Sequence, residues 1–503
     1  MDFASTALAL SLVLVLAVGV ARHHGRRLRD KNKRYHPVVG TVVHQVIYFP
    51  RIHHYMTELA CKYKTYRIFD LFQGAIYTAD PANVEYVLKT NFCNYGKGSY
   101  TYSIISDVVG DGIFSVDGQK WQHQRKMMSA EFSTKVVRDF SAAVSKTNAV
   151  KLAGIIYEAA TSNQAIEIQD LFMKATLDST IKILLGIELD SMSGTDEEGN
   201  RFSHAFESQQ EAALYRIFDK LWKIKRFLNI GKEAELKKNI EVVDQFVYKL
   251  INSKIESIKN PENNLSLNKK RDLVSRRLEL KDTDPKYLRD IVLCVTVAGQ
   301  DTTATSLSWF VYMMCKHPHI QEKIAMEVRE VTNLMRDNSS VDELEPSLTD
   351  EALNKMQYLH AALTETLRLY PVVPMNIRMC FSDDTWPDGF SVNKGDMVIY
   401  LPYAMGRMTS IWGDDAEEFR PERWLDENGI FHDESPCKFI AFSAGPRICL
   451  GKEHAYMQMK ILSAVLLGSY VFKLADEKKT VSYKTMVTLP IDGGLYVNAS
   501  PRV

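Results

Sequence analysis

The 503-residue sequence lacks a net charge, because 62 lysine and arginine residues balance 62 aspartate and glutamate residues. A chain that binds nucleic acid needs a basic excess or a basic stripe to meet the phosphates, so we exclude that class of partner. Hydrophobic residues make up 46% of the chain, and no linker-like stretch divides it. We therefore predict one large α-rich body.

The seven cysteines lack any pairing pattern. They are scattered, odd in number and free of the Cys-x-x-Cys spacing that is typical of zinc sites and redox exchange. One of them, Cys449, lies in an unusual loop. We interpret the others as reduced core thiols of a cytosol-facing protein: Cys61, Cys93, Cys294, Cys315, Cys380 and Cys437.

Nucleotide-binding loops are missing as well. The chain contains no Gly-x-Gly-x-x-Gly after a strand and no Walker-type loop, so nothing marks a flavin or nicotinamide site. Any electrons that the protein uses must therefore arrive from another protein.

The N-terminus indicates a membrane anchor. Residues 3–21 are uncharged and long enough as a helix to cross roughly 30 Å of hydrocarbon, and a cluster of arginines and lysines follows at once. The alternative, a cleaved signal peptide, lacks its basic first region. We predict an anchor at 3–21, a basic and proline-containing hinge at 22–40 and a cytosolic body at 41–503, held by a single pass in the endoplasmic reticulum membrane.

Near the C-terminus, residues 442–451 read FSAGPRICLG and precede a long apolar helical segment. Gly445 and Gly451 have no Cβ, so the backbone can approach a flat macrocycle on both sides of Cys449. Arg447 can donate to a haem propionate. The loop looks like a thiolate ligand for haem iron, and the alternative is a buried structural cysteine beside a glycine-rich turn.

The pattern Phe-x-x-Gly-x-Arg-x-Cys-x-Gly, with Phe442 at its first position, resembles the signature of the cytochrome P450 family. The resemblance implies a mainly α fold with small β-sheets and a single haem domain. It implies haem b (iron protoporphyrin IX) ligated by Cys449, and O2 as co-substrate. It also implies electrons from NADPH through a separate, membrane-bound flavoprotein reductase. Cationic residues near Cys449 offer a docking surface for an acidic reductase: Arg125, Lys126, Lys438 and Lys452.

A long apolar helix should begin near Pro285 and end before Pro318. Its centre, residues 298–303, reads AGQDTT and holds a glycine, an acid and two threonines that disfavour the helix locally, by roughly 1 kcal/mol for the glycine alone. Such a local conflict points to function. Gly299 and Thr302 should share one face, where the missing side chain makes room for a diatomic ligand.

The stretch resembles the oxygen-binding helix of the same family, with Ala298 and Gly299 near the cofactor. Thr302 can donate a hydrogen bond to bound, reduced dioxygen, and Asp301 can relay protons from solvent. The alternatives are a threonine bonded to a carbonyl one turn earlier and a satisfied polar aspartate. Gln300 stands where many plant relatives carry arginine, so the sequence does not establish which groups surround the proton relay.

Two further groups of residues fit a haem protein. Glu365 and Arg368 lie at i, i+3, and Arg423 falls in the stretch FRPERW, residues 419–424, which resembles the family's meander motif. The resemblance implies a buried three-residue network.

Propionate partners form the second group. Trp121 and Arg125 at i, i+4 share a helical face and, with Arg378 and Arg447, suit the haem propionates. The alternative makes Trp121 a core residue and Arg125 a surface cation.

The substrate is indicated by resemblance alone. Residues 111–126, 170–178 and 442–451 resemble the plant clan of fatty-acid omega-hydroxylases, closest to the long-chain branch, which implies hydroxylation at or near the terminal carbon. Apolar wall segments are expected at 103–109, 295–298, 372–377 and 486–489. A sterol or terpenoid substrate, a lipid-hydroperoxide isomerase and a non-enzymatic haem carrier remain open.

Overall fold

The computed structural model describes residues 33–69, 74–132, 134–194, 197–219, 221–259, 272–279, 284–334 and 341–502. The predicted anchor at 3–21 lies outside the described residues, as does most of the predicted hinge. Among the helices within these ranges, none is both long and apolar enough to cross a membrane.

Helices dominate the described chain. In chain order they are α1 Val42–Ile47, α2 Ile52–Tyr63, α3 Pro81–Glu85, α4 Gly98–Val109, α5 Gly118–Phe132, α6 Lys135–Thr161, α7 Ile168–Leu185, α8 Glu197–Phe218, α9 Trp222–Leu228, α10 Lys232–Lys259, α11 Leu273–Glu279, α12 Pro285–Thr296, α13 Thr302–Lys316, α14 Pro318–Thr332, α15 Val341–Ser347, α16 Asp350–Lys355, α17 Gln357–Leu369, α18 Pro402–Met405, α19 Thr409–Trp412 and α20 Lys452–Ser469.

The strands are short. They are β1 Val38–Thr41, β2 Thr65–Phe69, β3 Ala75–Thr78, β4 Tyr95–Gly96, β5 Ile166–Glu167, β6 Asn376–Cys380, β7 Asp384–Thr385, β8 Ser391–Val392, β9 Met397–Tyr400, β10 Tyr470–Leu474 and β11 Tyr496–Pro501. The prediction of a mainly α fold with small β-sheets is confirmed.

The chain divides into two compact units, and neither is continuous in sequence. The first comprises Met1–Thr101, Met375–Ala416 and Pro436–Ile448, and the second comprises Tyr102–Pro374, Glu417–Ser435 and Cys449–Val503. The predicted boundaries of the anchor, hinge and body stay a prediction.

The first unit is built on a six-stranded sheet in the order β1-β2-β3-β9-β6-β4. β9 runs parallel to β3 and antiparallel to β6, and the register places Arg378 opposite Val398. All residues of β3 and β9 are buried. The guanidinium-bearing Arg378 therefore lies on a strand that pairs with the buried, apolar strand β9.

The second unit is mostly helical, and its long central helix has the limits that the sequence predicts. Asp284 caps α12 by accepting a hydrogen bond from the Lys286 N–H at 3.1 Å, and Pro285 suits the first helical position. α13 ends at Lys316, before Pro318 starts α14. A π-helical turn, Val297–Asp301, joins α12 to α13.

Neighbouring helices hold this central helix on several sides. α13 packs against α7 and α17, while α6 packs against α7 and α20. The buried Trp309 of α13 stacks on Tyr370 with ring centroids 4.0 Å apart and donates its indole N–H to the Leu489 carbonyl at 2.7 Å. The helix that follows the π turn is therefore packed on several sides.

Candidate active site

Cys449 lies just before α20, and its side chain is accessible. Desolvation by the surrounding protein raises the pKa of the Cys449 thiol, whereas the Gly451 N–H and the positive charge of Arg125 lower it. These two groups only partly oppose desolvation, and a bound metal would complete the deprotonation, because the thiolate is the form that binds a metal. The second unit thus presents a sulfur to which a soft metal can bind.

The other cysteines differ from Cys449. Cys294, Cys380 and Cys437 are buried, and burial raises the pKa of Cys294 to about 12. Cys61 and Cys93 are exposed, so the interpretation of all six as core thiols is wrong for these two.

Gly445 is required by its backbone. It opens the short 3-10 helix Gly445–Arg447 with φ +66°, and a Cβ there would overlap the carbonyl oxygen of Leu88 within the first unit. Gly451, with φ −93°, has a conformation that any residue adopts. Phe442 and Arg447 are half-buried in the first unit. The close approach at Gly445 therefore requires a residue without a side chain at this position.

Arg378 supplies the test of whether a haem fits. Its side chain is 3% exposed, its Nη1 donates to the Ile377 carbonyl at 2.9 Å, and its guanidinium lies 5.8 Å from the Tyr400 ring centroid. Its buried Nε has no partner, and no carboxylate of the described residues pairs with it. A buried, unneutralised cation needs an anion, and a haem propionate fits this requirement.

Trp121 and Arg125 both lie on α5. Trp121 is buried, and Arg125 is half-buried with its charge acting on Cys449. Burial lowers the pKa of the Arg125 guanidinium. Arg125 is therefore not a simple surface cation, unlike the exposed Lys126. Together with the accessible thiolate, these residues fit a haem.

The π turn sets which side chains are accessible on the central helix. Ala298 is exposed and Thr302 is half-exposed, whereas Thr303 is buried. The Thr302 hydroxyl donates to the Ala298 carbonyl. This bond to a carbonyl one turn earlier is the alternative that the sequence left open for Thr302, and the structure shows it.

Gly299 has a role that differs from the prediction. A Cβ at this position would lie 2.7 Å from the Thr180 hydroxyl of α7. The space that the missing side chain leaves is therefore filled by Thr180 rather than by a small ligand, and Gly299 allows α7 to pack closely. The accessible space on this turn lies over Ala298.

Asp301 is buried, with 6% of its surface exposed. Desolvation raises the pKa of its carboxyl to about 7, a change that the nearby charge of Glu207 increases and the amide of Gln210 opposes. Asp301 can therefore exchange a proton near neutral pH, as a relay requires. Gln300 is also buried, and its side-chain oxygen has no partner among the described residues.

Replacing Asp301 with asparagine should change how stability depends on pH. Because its pKa is raised, Asp301 in the folded chain keeps a proton between about pH 4 and 7, whereas the unfolded chain has released it. As the pH rises through this window, the free energy of unfolding therefore falls by up to ~1.4 kcal/mol per pH unit. Asp301→Asn lacks this dependence. The melting temperature of the variant relative to the parent should rise from pH 5 to 7.5, and a constant difference would contradict the assignment.

A buried charge network lies in the second unit, with Glu365 at its centre. Arg368 donates from Nε and Nη2 to the Glu365 carboxylate at 2.7 and 2.8 Å, and Nη2 also donates to the Glu418 carbonyl at 2.9 Å. Arg423 Nε lies 3.4 Å from Glu365 Oε1. Both side chains of the helical pair are fully buried, so each depends on the other for charge compensation.

The structure adds residues that the sequence did not single out. The indole of Trp424 donates to Glu365 Oε2 at 2.9 Å, and the Arg420 N–H donates to Oε1 at 3.0 Å. The position of Trp424 directly after Arg423 is a signal that could have found it. Gln210 and Thr180 carry no such local signal.

Comparisons with known proteins point to one family. The family model described as cytochrome P450 matches residues 31–497. Cytochrome P450 704C1 of Pinus taeda is 46% identical over 98% of this chain and 97% of its own length. Cytochrome P450 704B1 of Arabidopsis thaliana is 41% identical over 98% of this chain and 100% of its own length. Cytochrome P450 CYP94D108 of Paris polyphylla is 38% identical over 85% of this chain and 84% of its own length.

The chain belongs to the cytochrome P450 family. It is a haem-dependent monooxygenase that uses O2, receives electrons from a redox partner and acts on a hydrophobic substrate.

Proposed function

We propose that this chain hydroxylates long-chain fatty acids at or near the omega carbon. The observation that carries the proposal is the apolar, accessible surface that directly precedes Asp301 and Thr302: Val295, Val297 and Ala298 are all partly or fully accessible. An alkyl chain end placed there would lie beside the proton-handling residues. The resemblance of residues 111–126, 170–178 and 442–451 to the plant omega-hydroxylases supports this choice of alkyl chain.

Another expected wall segment contributes less than predicted. In residues 486–489, Met486, Thr488 and Leu489 are buried, and Val487 alone is partly accessible. Terminal hydroxylation requires a site that excludes the weaker internal C–H bonds by shape. We assign that selection to the helix surface around Ala298.

The reaction inserts one oxygen atom of O2 into a C–H bond and releases the other as water, which consumes two electrons and two protons. Bound haem would supply the activation of O2, with Cys449 as its thiolate ligand and Arg125, Arg378 and Arg447 as propionate partners. Asp301 and Thr302 would supply the protons. Thr302 must turn its hydroxyl from the Ala298 carbonyl to donate into the site.

Thr302→Ala should uncouple the enzyme. Without the hydroxyl, protons are no longer positioned at the reacting oxygen. NADPH consumption should therefore continue, while the product formed per NADPH falls at least ~10-fold and peroxide is formed in its place. Product and peroxide per NADPH measure the effect. Thr305→Val is the matched control, because Thr305 is fully buried on the same helix and its hydroxyl has no partner. Unchanged coupling in Thr302→Ala would assign proton delivery to another group.

We further propose that electrons come from NADPH through a membrane-bound flavoprotein reductase.

We also propose that residues 3–21 anchor the chain in the endoplasmic reticulum membrane. The apolar side chains of α9 support contact with a bilayer, because Ile224, Phe227 and Leu228 are exposed, Phe227 by 88%. Alkaline extraction of microsomes tests the anchor: the full chain should stay with the membrane. Release of the full chain would refute it.

A substrate screen tests the proposed activity. Microsomes that contain the full chain and an NADPH-dependent reductase are given fatty acids of several lengths, sterols and terpenoids, and mass spectrometry locates the hydroxyl group. Fatty acids hydroxylated at or near the omega carbon are expected. Conversion of sterols or terpenoids alone would favour the second candidate substrate class. Turnover of lipid hydroperoxides without NADPH, with fatty acids untouched, would favour an isomerase.

A further inference from the structure

We propose that Arg216, a buried arginine of α8, holds the wall segment 103–109 in place beside the central helix and thereby sets which carbon of the substrate is hydroxylated. The inference deepens the proposed function, because it rests on selection of the chain end by the shape of the site. The segment is the C-terminal part of α4, and all residues that carry the inference lie in the second unit.

The Arg216 side chain has one fixed orientation. Only 1% of its surface is exposed. Its Nε and Nη2 donate to the two carboxylate oxygens of Glu233 on α10, at 2.8 and 2.7 Å, and its guanidinium lies 4.4 Å from the ring centroid of Trp222 on α9. Because a guanidinium is planar, this two-pronged contact also determines where its third nitrogen, Nη1, lies.

The Nη1 atom contacts α4. It donates to the Ile104 carbonyl at 3.0 Å and to the Asp107 carboxylate at 2.8 Å. Arg226 of α9 donates to the same carboxylate, with its Nη2 3.1 Å from Asp107 Oδ1. Because Arg216 bonds both to the backbone of α4 and to a side chain one turn further along, this part of α4 can neither slide nor rotate freely past α8.

The C-terminal end of α4 meets the central helix directly. The Asp111 N–H, just after α4, donates to Asp290 Oδ2 at 2.9 Å, and the Cys294 sulfur lies 3.6 Å from the Val109 carbonyl oxygen. Asp290 and Cys294 lie on one face of α12, and Ala298 follows one turn later. The wall segment therefore ends beside the accessible surface to which we assign the selection of the chain end.

A wall held at its middle and at its end can select a carbon atom. Terminal hydroxylation requires that the weaker internal C–H bonds stay away from the oxidant, and a mobile wall would let the alkyl chain bind in several registers. A misplacement of about 1 Å can change a rate by ~100-fold, so a small displacement of segment 103–109 is enough to mix the products. Arg216 is a positioning residue, because it acts through α4.

Asp107→Asn is the main test of this inference. The change keeps the size of the side chain, and Arg216 keeps both bonds to Glu233, so its buried charge stays neutralised. Arg216→Lys removes the fork from the other side of the contact. Asp219→Asn is the matched control, because it makes the same chemical change directly after α8, where Asp219 pairs with Lys225 of α9 at 2.7 Å.

The measurements use the full chain with bound haem and a reductase. Hydrogen exchange followed by mass spectrometry reports the opening of the amides of residues 104–109 and needs no turnover. Mass spectrometry of the products from a saturated fatty acid gives the ratio of omega to internal hydroxylation. Haem content and the spectrum of the reduced protein with carbon monoxide check folding.

Asp107→Asn should speed amide exchange in residues 104–109 by about 10-fold, the order expected for loss of a hydrogen bond to a charged group. It should also lower the ratio of omega to internal products by about 10-fold. Arg216→Lys should shift both quantities in the same direction, and the two changes combined should not add, because they remove the same contact. Asp219→Asn should match the parent.

A purely structural role of the cluster would lower haem content without moving the hydroxyl group, and that result would overturn the inference. Faster exchange in Asp107→Asn with unchanged product positions, or an equal shift in Asp219→Asn, would overturn it as well. If the parent converts sterols or terpenoids but no fatty acid, the proposed function fails. The position of the hydroxyl on that substrate then decides: a changed position in Asp107→Asn supports the role of Arg216, and an unchanged one refutes it.

Discussion

Cys449→Ser should abolish monooxygenation. A serine hydroxyl at this position is not ionised by the Gly451 N–H and Arg125, whereas the thiolate is favoured by both. Loss of residues that only support a metal ligand costs 10- to 100-fold, so loss of the ligand itself should exceed ~100-fold in product formation. The spectrum of the reduced protein under carbon monoxide should lose its thiolate character.

Cys61→Ser is the matched control for this substitution. Cys61 is also an accessible cysteine, but it lies on α2 in the first unit, and its replacement should leave the spectrum and activity unchanged. Fatty-acid hydroxylation that survives Cys449→Ser would refute the ligand assignment.

Arg368→Ala should prevent accumulation of haem-loaded protein. The substitution leaves the fully buried Glu365 carboxylate with only the weaker approach of Arg423 and two neutral donors. Removing one partner of a buried ion pair costs about 3–5 kcal/mol, a large share of the stability of a typical domain. The ratio of haem to total protein after expression measures the effect.

Two variants control for charge and for position. Arg368→Lys keeps the positive charge but loses the two-pronged contact, so it should recover only part of the haem content. Lys355→Ala breaks the exposed pair with Glu351, whose members are 2.7 Å apart, and should change stability by less than ~0.5 kcal/mol. Normal haem loading in Arg368→Ala would show that the network is dispensable.

Local chemistry made much of this protein predictable. Pro285 and the polar cluster at residues 299–303 indicated where the central helix starts and where it is irregular. The spacing of Glu365 and Arg368 predicted a pair on one helix face. In each case the interacting groups are neighbours in sequence, so helical periodicity is enough to bring them together.

Contacts between distant elements could not be predicted in this way. Thr180 reaches Gly299 from α7, a helix that is far from Gly299 in sequence. A glycine that admits a neighbouring helix has the same sequence signature as one that admits a ligand, so the role of Gly299 was misjudged. Tertiary packing decides between the two.

The π turn Val297–Asp301 also has a consequence for how this enzyme can diversify. A π turn holds one residue more than an α turn, and here the irregular geometry is confined to Val297–Asp301, between the regular helices α12 and α13. Val295 lies before the extra residue, and Thr302 lies after it. Substitutions upstream can therefore reshape the surface offered to a substrate while the aim of Thr302 is left unchanged.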